Sequence, residues 1–320
     1  MNVKLRDVKL DPGSHLNRSQ LWSPICGFVL LLLIGCRPQA SNSPSSGPII
    51  DMHFHAMSEP LGVKEPLTGF VSPKTVDEIR LRTIAELDRL HIVKVVGSGD
   101  QIESYRAGLG EKLIPGMLVV GKPTVSPLSL REMHRAGRFA VLSEFAPQYG
   151  GLGPAAPELE PYWALAEELD MPVGIHMGLG PPGAAYVGYP DYRMQQSNPL
   201  QLEEVLIRHP KLRVYIMHAG WPFLNEMIGL LYAHPQVYAD VGILNWGLPE
   251  PEFHAYLRRL AEAGFSKRIM FGSDNMVWPD SLGMAVGRIR SAAFLSENQK
   301  RDIFCRNAAT FLRLSGSVCE

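Results

Sequence analysis

Four histidines and two acids in this chain fall where apolar runs end, and their types suit divalent-metal chemistry. The first pair lies in Ile49-Ile50-Asp51-Met52-His53-Phe54-His55, which reads as a buried strand. Side chains alternate faces along a strand, so His53 and His55 point the same way. Two imidazoles on one side of one strand end are half of a divalent-metal site. Reading only the ends of the later apolar runs adds Glu144, His176, His218 and Asp274. The remaining six of the ten histidines fall in the leader, in helices or in turns.

Elements that position such residues can be read from the apolar pattern. Strands are expected at 49–55, 92–96, 114–120, 139–145, 173–177, 212–218, 237–241 and 268–273. Helices are expected at 73–90, with Ser72 as N-cap, and at 161–169, 200–209, 225–233 and 252–263, with further helices over 281–314. Short strands that are apolar on both faces and alternate with helices suit a parallel sheet buried on both sides. Eight of them over residues 49–320 is the count of a single-domain (β/α)8 TIM barrel. An open doubly wound sheet is the other topology this alternation allows, but no Gly-rich phosphate turn follows the first strand. In a barrel of this kind the chemistry sits at the C-terminal strand ends, where the six residues fall.

Length and charge agree with one large domain. The chain has 320 residues and a formal net charge of −1. No Lys/Arg-rich block speaks for nucleic acid, and no repeat appears at solenoid periods. The oligomeric state is open at this level.

Residues 1–36 read as a signal segment and 37–48 as a flexible tether rich in Ser and Pro. The apolar run from Ile25 to Gly35 is too short to span a bilayer but suits a signal-peptide core. Leu33-Ile34-Gly35-Cys36 resembles a bacterial lipoprotein signal, in which the Cys is acylated. The resemblance implies lipidation at Cys36 and an exported protein held to a membrane by a lipid anchor alone. An ordinary secretory signal or an uncleaved anchor is the alternative. Of the four cysteines, Cys305 and Cys319 remain beyond the leader. An oxidising compartment would permit their pairing, and two separate thiols are equally compatible with the pattern.

The ligand set, with Gly174-Ile175-His176-Met177-Gly178, Met217-His218-Ala219-Gly220-Trp221-Pro222, Arg268-Ile269-Met270-Phe271-Gly272-Ser273-Asp274 and Asp302-Ile303-Phe304-Cys305-Arg306-Asn307-Ala308-Ala309, resembles the amidohydrolase-2 branch of the amidohydrolase superfamily. The resemblance runs from about Ile50 to Leu314. It implies one or two divalent ions, Zn²⁺ first among them, held by His53, His55, Glu144, His176, His218 and Asp274. Glu144 would bridge two ions, or else support the ligands by hydrogen bonding. Asp274 would carry protons as well as bind metal, although Gly272-Ser273-Asp274-Asn275 also reads as a turn or helix cap. His218 is the second catalytic candidate. Asp240 reads as a supporting partner.

That branch hosts both hydrolases and non-oxidative decarboxylases of aromatic or unsaturated acids. A hydrolase of an amide, ester or lactone bond in a small organic substrate is the first expectation. The decarboxylase is the second, and a metal-loaded protein without turnover the third. Tyr149, Trp221, Trp246 and Trp278, with Asn245 and Asn275, fall just past strand ends and are expected to wall the substrate. The loop 179–199 is long enough to be a lid. Its Arg193 is read either as a fork for a substrate carboxylate or as a surface arginine.

Overall fold

The computed structural model describes residues 47–178 and 180–320. The expected signal, Cys36 and nearly all of the tether lie outside the described residues.

Eight parallel strands follow one another round the sheet in chain order. They are β1 (Ile49–His55), β2 (Ile92–Ser98), β3 (Leu113–Val120), β4 (Val141–Ala146), β5 (Val173–His176), β6 (Val214–Met217), β7 (Val237–Asp240) and β8 (Ile269–Met270). The seam between the last strand and the first is closed by two backbone bonds. The Met52 N–H donates to Phe271 O at 3.0 Å and the Asp274 N–H to His53 O at 2.6 Å. The chain thus forms the expected (β/α)8 barrel, and the second bond ties two predicted ligands together through their backbones.

The helices are α1 (Val76–Arg89), α2 (Ile102–Leu109), α3 (Pro127–Arg135), α4 (Glu160–Glu168), α5 (Glu203–Arg208), α6 (Leu224–Ala233), the one-turn α7 (Leu244–Gly247), α8 (Glu250–Leu260), α9 (Asp280–Arg290), α10 (Glu297–Arg301) and α11 (Asn307–Leu312). In α1 the buried Ile79, Thr83 and Leu87 recur every fourth residue and face the barrel. Its N-cap is Thr75, whose side chain accepts from the Glu78 N–H. Ser72, the expected cap, instead donates to Pro60 O and accepts from the Val63 N–H, bracing the loop before the helix. The pattern left α2 and α3 unpredicted, because each buries few apolar side chains: Tyr105 and Leu109 in one, Leu130 alone in the other. Among the described residues no helix is long and apolar enough to cross a membrane.

Two apolar clusters hold the barrel. One lies between strands and helices and includes Ile49, Phe54, Leu142, Phe145, Ile216, Leu87, Trp163 and Leu257. The other joins Ile50, Met52, Val96, Val141, Tyr215, Met217 and Met270, from strands all round the barrel, and so fills its interior. Each fully buried large side chain of this kind stabilises by about 1.5–3 kcal/mol. The interior cluster continues into Cys305, Ala308 and Phe311, which plug the end opposite the ligands. The Phe311 ring packs edge-on against Tyr215, centroids 5.5 Å apart. Cys305 and Cys319 are joined as a disulfide with Cα atoms 5.8 Å apart, so of the two readings pairing is the one the fold adopts.

Strict alternation would not by itself have aimed the ligands correctly. In β1 Asp51 pairs Val95 and Phe54 pairs Gly97, so three steps oppose two. This bulge switches the inward face from Ile50 and Met52 to His53 and His55. In β4 Leu142 to Phe145 opposes Met117 to Val119 on one side and Val173 to Ile175 on the other. The same device turns Glu144 inward after Ser143.

Candidate metal centre

The six predicted ligands converge at the C-terminal end of the barrel, and all are buried or nearly so. His53 Nε2 and His55 Nε2 are 3.2 Å apart. Asp274 Oδ1 lies 3.3 Å from His55 Nε2 and 3.7 Å from His53 Nε2. Glu144 Oε2 lies 3.5 Å and 3.9 Å from the same two nitrogens. Donors arranged tetrahedrally about one ion, with bonds of about 2.0–2.1 Å, stand about 3.3–3.4 Å from each other. The spacing of these four groups therefore fits a divalent cation.

The other oxygen of Glu144 faces a second group. Oε1 is 3.1 Å from His176 Nδ1. His176 and His218 lie edge to face with centroids 4.5 Å apart. His218 Nδ1 is 3.0 Å from Gly242 O, which sets the N–H on Nδ1 and leaves Nε2 as the electron-pair donor. Glu144 thus has one oxygen toward the pair on β1 and one toward the histidine at the end of β5.

The electrostatics ask for a cation. Among the described residues every ion-pair contact of Glu144, Asp240 and Asp274 is to a histidine. Burial disfavours a charged His53, but the Asp274 and Asp240 carboxylates outweigh it and hold its pKa up, at about 10. Burial pushes His176 down to about 4, against the pull of Glu144. Burial likewise opposes ionisation of Asp274, yet His53, His55 and His218 hold its carboxyl well below the usual range. Asp274 Oδ1 and both ring nitrogens of His176 are buried without a hydrogen-bond partner. Such orphaned atoms are costly unless a ligand satisfies them. The donor set therefore suits a metal ion on geometry and on charge.

Backbone strain concentrates at the same place. His218 has φ +56° and Asp274 has φ +50°, both in the left-handed region. Such residues cost about 1–3 kcal/mol each and persist where surrounding contacts over-determine them. For Asp274 those contacts include its N–H bond to His53 O. Gly242 and Gly272 leave the space in which His53 meets Asp240: an added Cβ would come within 2.8 Å of His53 Nδ1 and of His53 Cβ respectively.

A supporting layer lies behind the ligands. Asp240 Oδ2 is 3.3 Å from His53 Nδ1. Its Oδ1 accepts from the Gly242 N–H at 2.7 Å and the His218 N–H at 3.3 Å. Asp51, not singled out from sequence, accepts the His53 and Ser273 N–H groups on Oδ1 at 3.0 and 2.8 Å. Burial raises its pKa to about 6. Asp51 lies within its strand and not at the end, so a reading of strand ends passes it over; an acid inside an apolar strand is the signal that could have found it. Gln148 donates to His176 O at 2.9 Å, and Asn275 Oδ1 accepts the His55 N–H at 3.0 Å.

The expected substrate wall divides. Tyr149 lies flat on His176, centroids 5.2 Å apart, and beside Tyr189 and Tyr192. Trp246 is only 1% exposed and donates to Ser273 O, so it supports the chain after β8 from within the core, as Asn245 does through Gly272 O. Trp221 and Trp278 are partly exposed, and their indole N–H groups go to Glu252 and to Val63 O. Arg193 is exposed and donates to Pro190 O and Tyr192 O, which is the surface reading of that residue. The base of its loop is pinned by the Tyr192 hydroxyl, which accepts from the Gly180 N–H and donates to Gly178 O. The loop tip carries Tyr186, 91% exposed.

Comparison with known proteins gives matching results. A family model described as Amidohydrolase matches residues 50–314. Protein fluG of Emericella nidulans is 25% identical over 121 residues, which are 38% of this chain and 13% of that much longer protein. The structure of a probable 2-pyrone-4,6-dicarboxylic acid hydrolase from Acinetobacter baumannii, with citric acid bound, superposes with a TM-score of 0.57 at 15% identity, covering 83% of this chain and 99% of that one. A 2,6-dihydroxybenzoate decarboxylase in complex with 2,6-dihydroxybenzoate superposes with a TM-score of 0.56 at 15% identity, covering 83% and 98%. At such identities the likeness is one of fold.

Proposed function

The chain belongs to the amidohydrolase family, and from that premise we propose a metal-dependent hydrolase that opens an amide, ester or lactone bond of a small organic substrate. The observation that carries the reading is Glu144, with Oε2 toward His53 and His55 and Oε1 3.1 Å from His176. A carboxylate with its two oxygens on two groups of imidazoles suits a pair of ions better than one. His53, His55 and Asp274 would hold the deeper ion and His176 and His218 the outer one, with Glu144 between. Zn²⁺ is the ion we assign. Bound there, it supplies Lewis acidity and a water with a pKa of about 7.

The protein's own groups do the rest. Asp274 is ionised and its Oδ2 faces His218, 3.8 Å from Nδ1. We assign it to take the proton of the attacking water and return it to the leaving group. Asp240 holds His53 from behind, and Gln148 holds the His176 backbone. Were the site to hold one ion, His218 would orient the attacking water instead of ligating. Export, with acylation at Cys36, belongs to the same proposal and rests on the sequence of residues 25–36.

Elemental analysis of purified protein, followed by a screen of lactones, esters, amides and aromatic acids, tests the reading. Acid release without CO₂ is expected. Release of CO₂ from an aromatic acid would assign the decarboxylase chemistry instead. Metal without any turnover would make it a binding protein.

A further inference from the structure

Nearly every polar head at the mouth of the site is already spent on the protein. Trp221 and Trp278 donate to Glu252 and Val63. Arg193 donates to two carbonyls of its own loop, and Tyr192 to Gly178 O. Tyr149 differs. Its hydroxyl makes no hydrogen bond to any described residue, although its ring is held on three sides by His176, Tyr189 and Tyr192 at 5.2, 4.6 and 5.4 Å between centroids. It stands on the 3₁₀ turn Pro147–Gly150, next to Gln148, which is bonded to His176 O. Gly180 leaves it room, since an added Cβ there would sit 2.8 Å from the hydroxyl. A hydroxyl so placed, in a fixed ring and with no described partner, is ready for a ligand oxygen.

We infer that the Tyr149 hydroxyl is the hydrogen-bond donor to the reacting carbonyl oxygen of a neutral acyl substrate, whose flat or apolar part lies against Tyr149 and Tyr189. This rests on the hydrolase reading above. As the water oxygen bonds to the carbonyl carbon, the π pair of the C=O bond moves to its oxygen, and the water proton goes to Asp274. The phenol keeps its own proton and strengthens its hydrogen bond to that oxygen. When the pair returns, the bond to the leaving group breaks and the leaving group takes the proton from Asp274. The acyl part meets aromatic faces and a neutral donor, because the guanidinium of Arg193 is turned to its own loop. A neutral ester, lactone or amide therefore suits the mouth better than a carboxylate.

The test uses the zinc-loaded full chain and methylphosphonate, whose tetrahedral anionic oxygens mimic the adduct. Calorimetry on wild type and Tyr149→Phe is expected to show about tenfold or weaker binding in the variant. Gly180→Ala, which crowds the hydroxyl, is expected to weaken binding in the same direction. Zinc content and melting temperature of both variants should match wild type. On any acyl substrate the wild type hydrolyses, Tyr149→Phe should lower kcat about 10²- to 10³-fold with little change in KM. Equal methylphosphonate affinity in wild type and Tyr149→Phe, or none in wild type, overturns the inference. If wild type instead releases CO₂ or hydrolyses no acyl substrate, the hydrolase reading falls, while the methylphosphonate comparison still decides whether the hydroxyl donates to a ligand oxygen.

Discussion

Asp240 Oδ2 stands 3.3 Å behind Nδ1 of His53, so the nitrogen that faces His55 and Asp274 is fixed as Nε2. A carboxylate beside Nδ1 favours the ring proton on that nitrogen and leaves the Nε2 electron pair for a metal. Asp240→Asn keeps the size and leaves Oδ1 as an acceptor for Gly242 and His218, but its amide can donate to Nδ1. That would move the ring proton to Nε2. Competition with a chelator should show metal affinity lowered about 10- to 100-fold, and unchanged affinity would remove Asp240 from the tautomer argument.

Under the proposed function, Glu144 is expected to decide how many ions are held. We expect up to two divalent ions per wild-type chain. Glu144→Gln keeps the shape, removes the charge and should release chiefly the outer ion. His53→Asn should empty the deeper position instead. About one ion per chain in both wild type and Glu144→Gln, measured by elemental analysis, would reassign Glu144 to a supporting role and His218 to orienting water.

The loop carrying Tyr186 and Arg193 is pinned at its base by Tyr192 and bare at its tip. Shortening the tip around Tyr186 and Val187 should raise KM or lower kcat at unchanged metal content, as expected of a lid. Loss of metal on shortening would instead make the loop a structural part of the site.

The Cys305–Cys319 disulfide closes a short loop, 14 residues in sequence, and holds the chain end to the barrel plug. Cys319→Ser should lower stability by about 3 kcal/mol on loop entropy. The plug lies opposite the ligands, so metal content should not change. Denaturant titration of the variant beside wild type reads the first effect, and elemental analysis the second.

Acylation at Cys36 predicts that Cys36→Ser releases the protein from the membrane or leaves it misprocessed. Fractionation that finds the variant still membrane-bound, with unaltered mobility, would refute the lipoprotein reading.

How much of this was legible beforehand depends on how far apart the interacting residues are in the chain. The apolar runs, their alternation with helical segments and the residues at their ends are local properties. In a parallel barrel the C-terminal strand ends are also where side chains converge. His53, His55, Glu144, His176, His218 and Asp274 could therefore be gathered as a set without coordinates. The identity of the chemistry, imidazoles and carboxylates for a divalent ion, follows from the residue types alone.

What the chain order could not settle depends on a neighbour brought from elsewhere. The bulges that turn His53 and Glu144 inward exist only relative to the register of β2, β3 and β5. Thr75 displaced Ser72 as the cap of α1 because Ser72 is taken by Pro60 and Val63. Whether an aromatic or an arginine at the mouth is free for substrate depends on which acceptor lies opposite it. Glu252, Val63 and two loop carbonyls claim those heads in turn, and none claims Tyr149. Sequence determined the ligand types and the strand ends that carry them, because both are written in local pattern. Tertiary structure alone decided their aim, their support by Asp51, and that no described residue claims the Tyr149 hydroxyl, because register and hydrogen-bond competition are relations between distant segments.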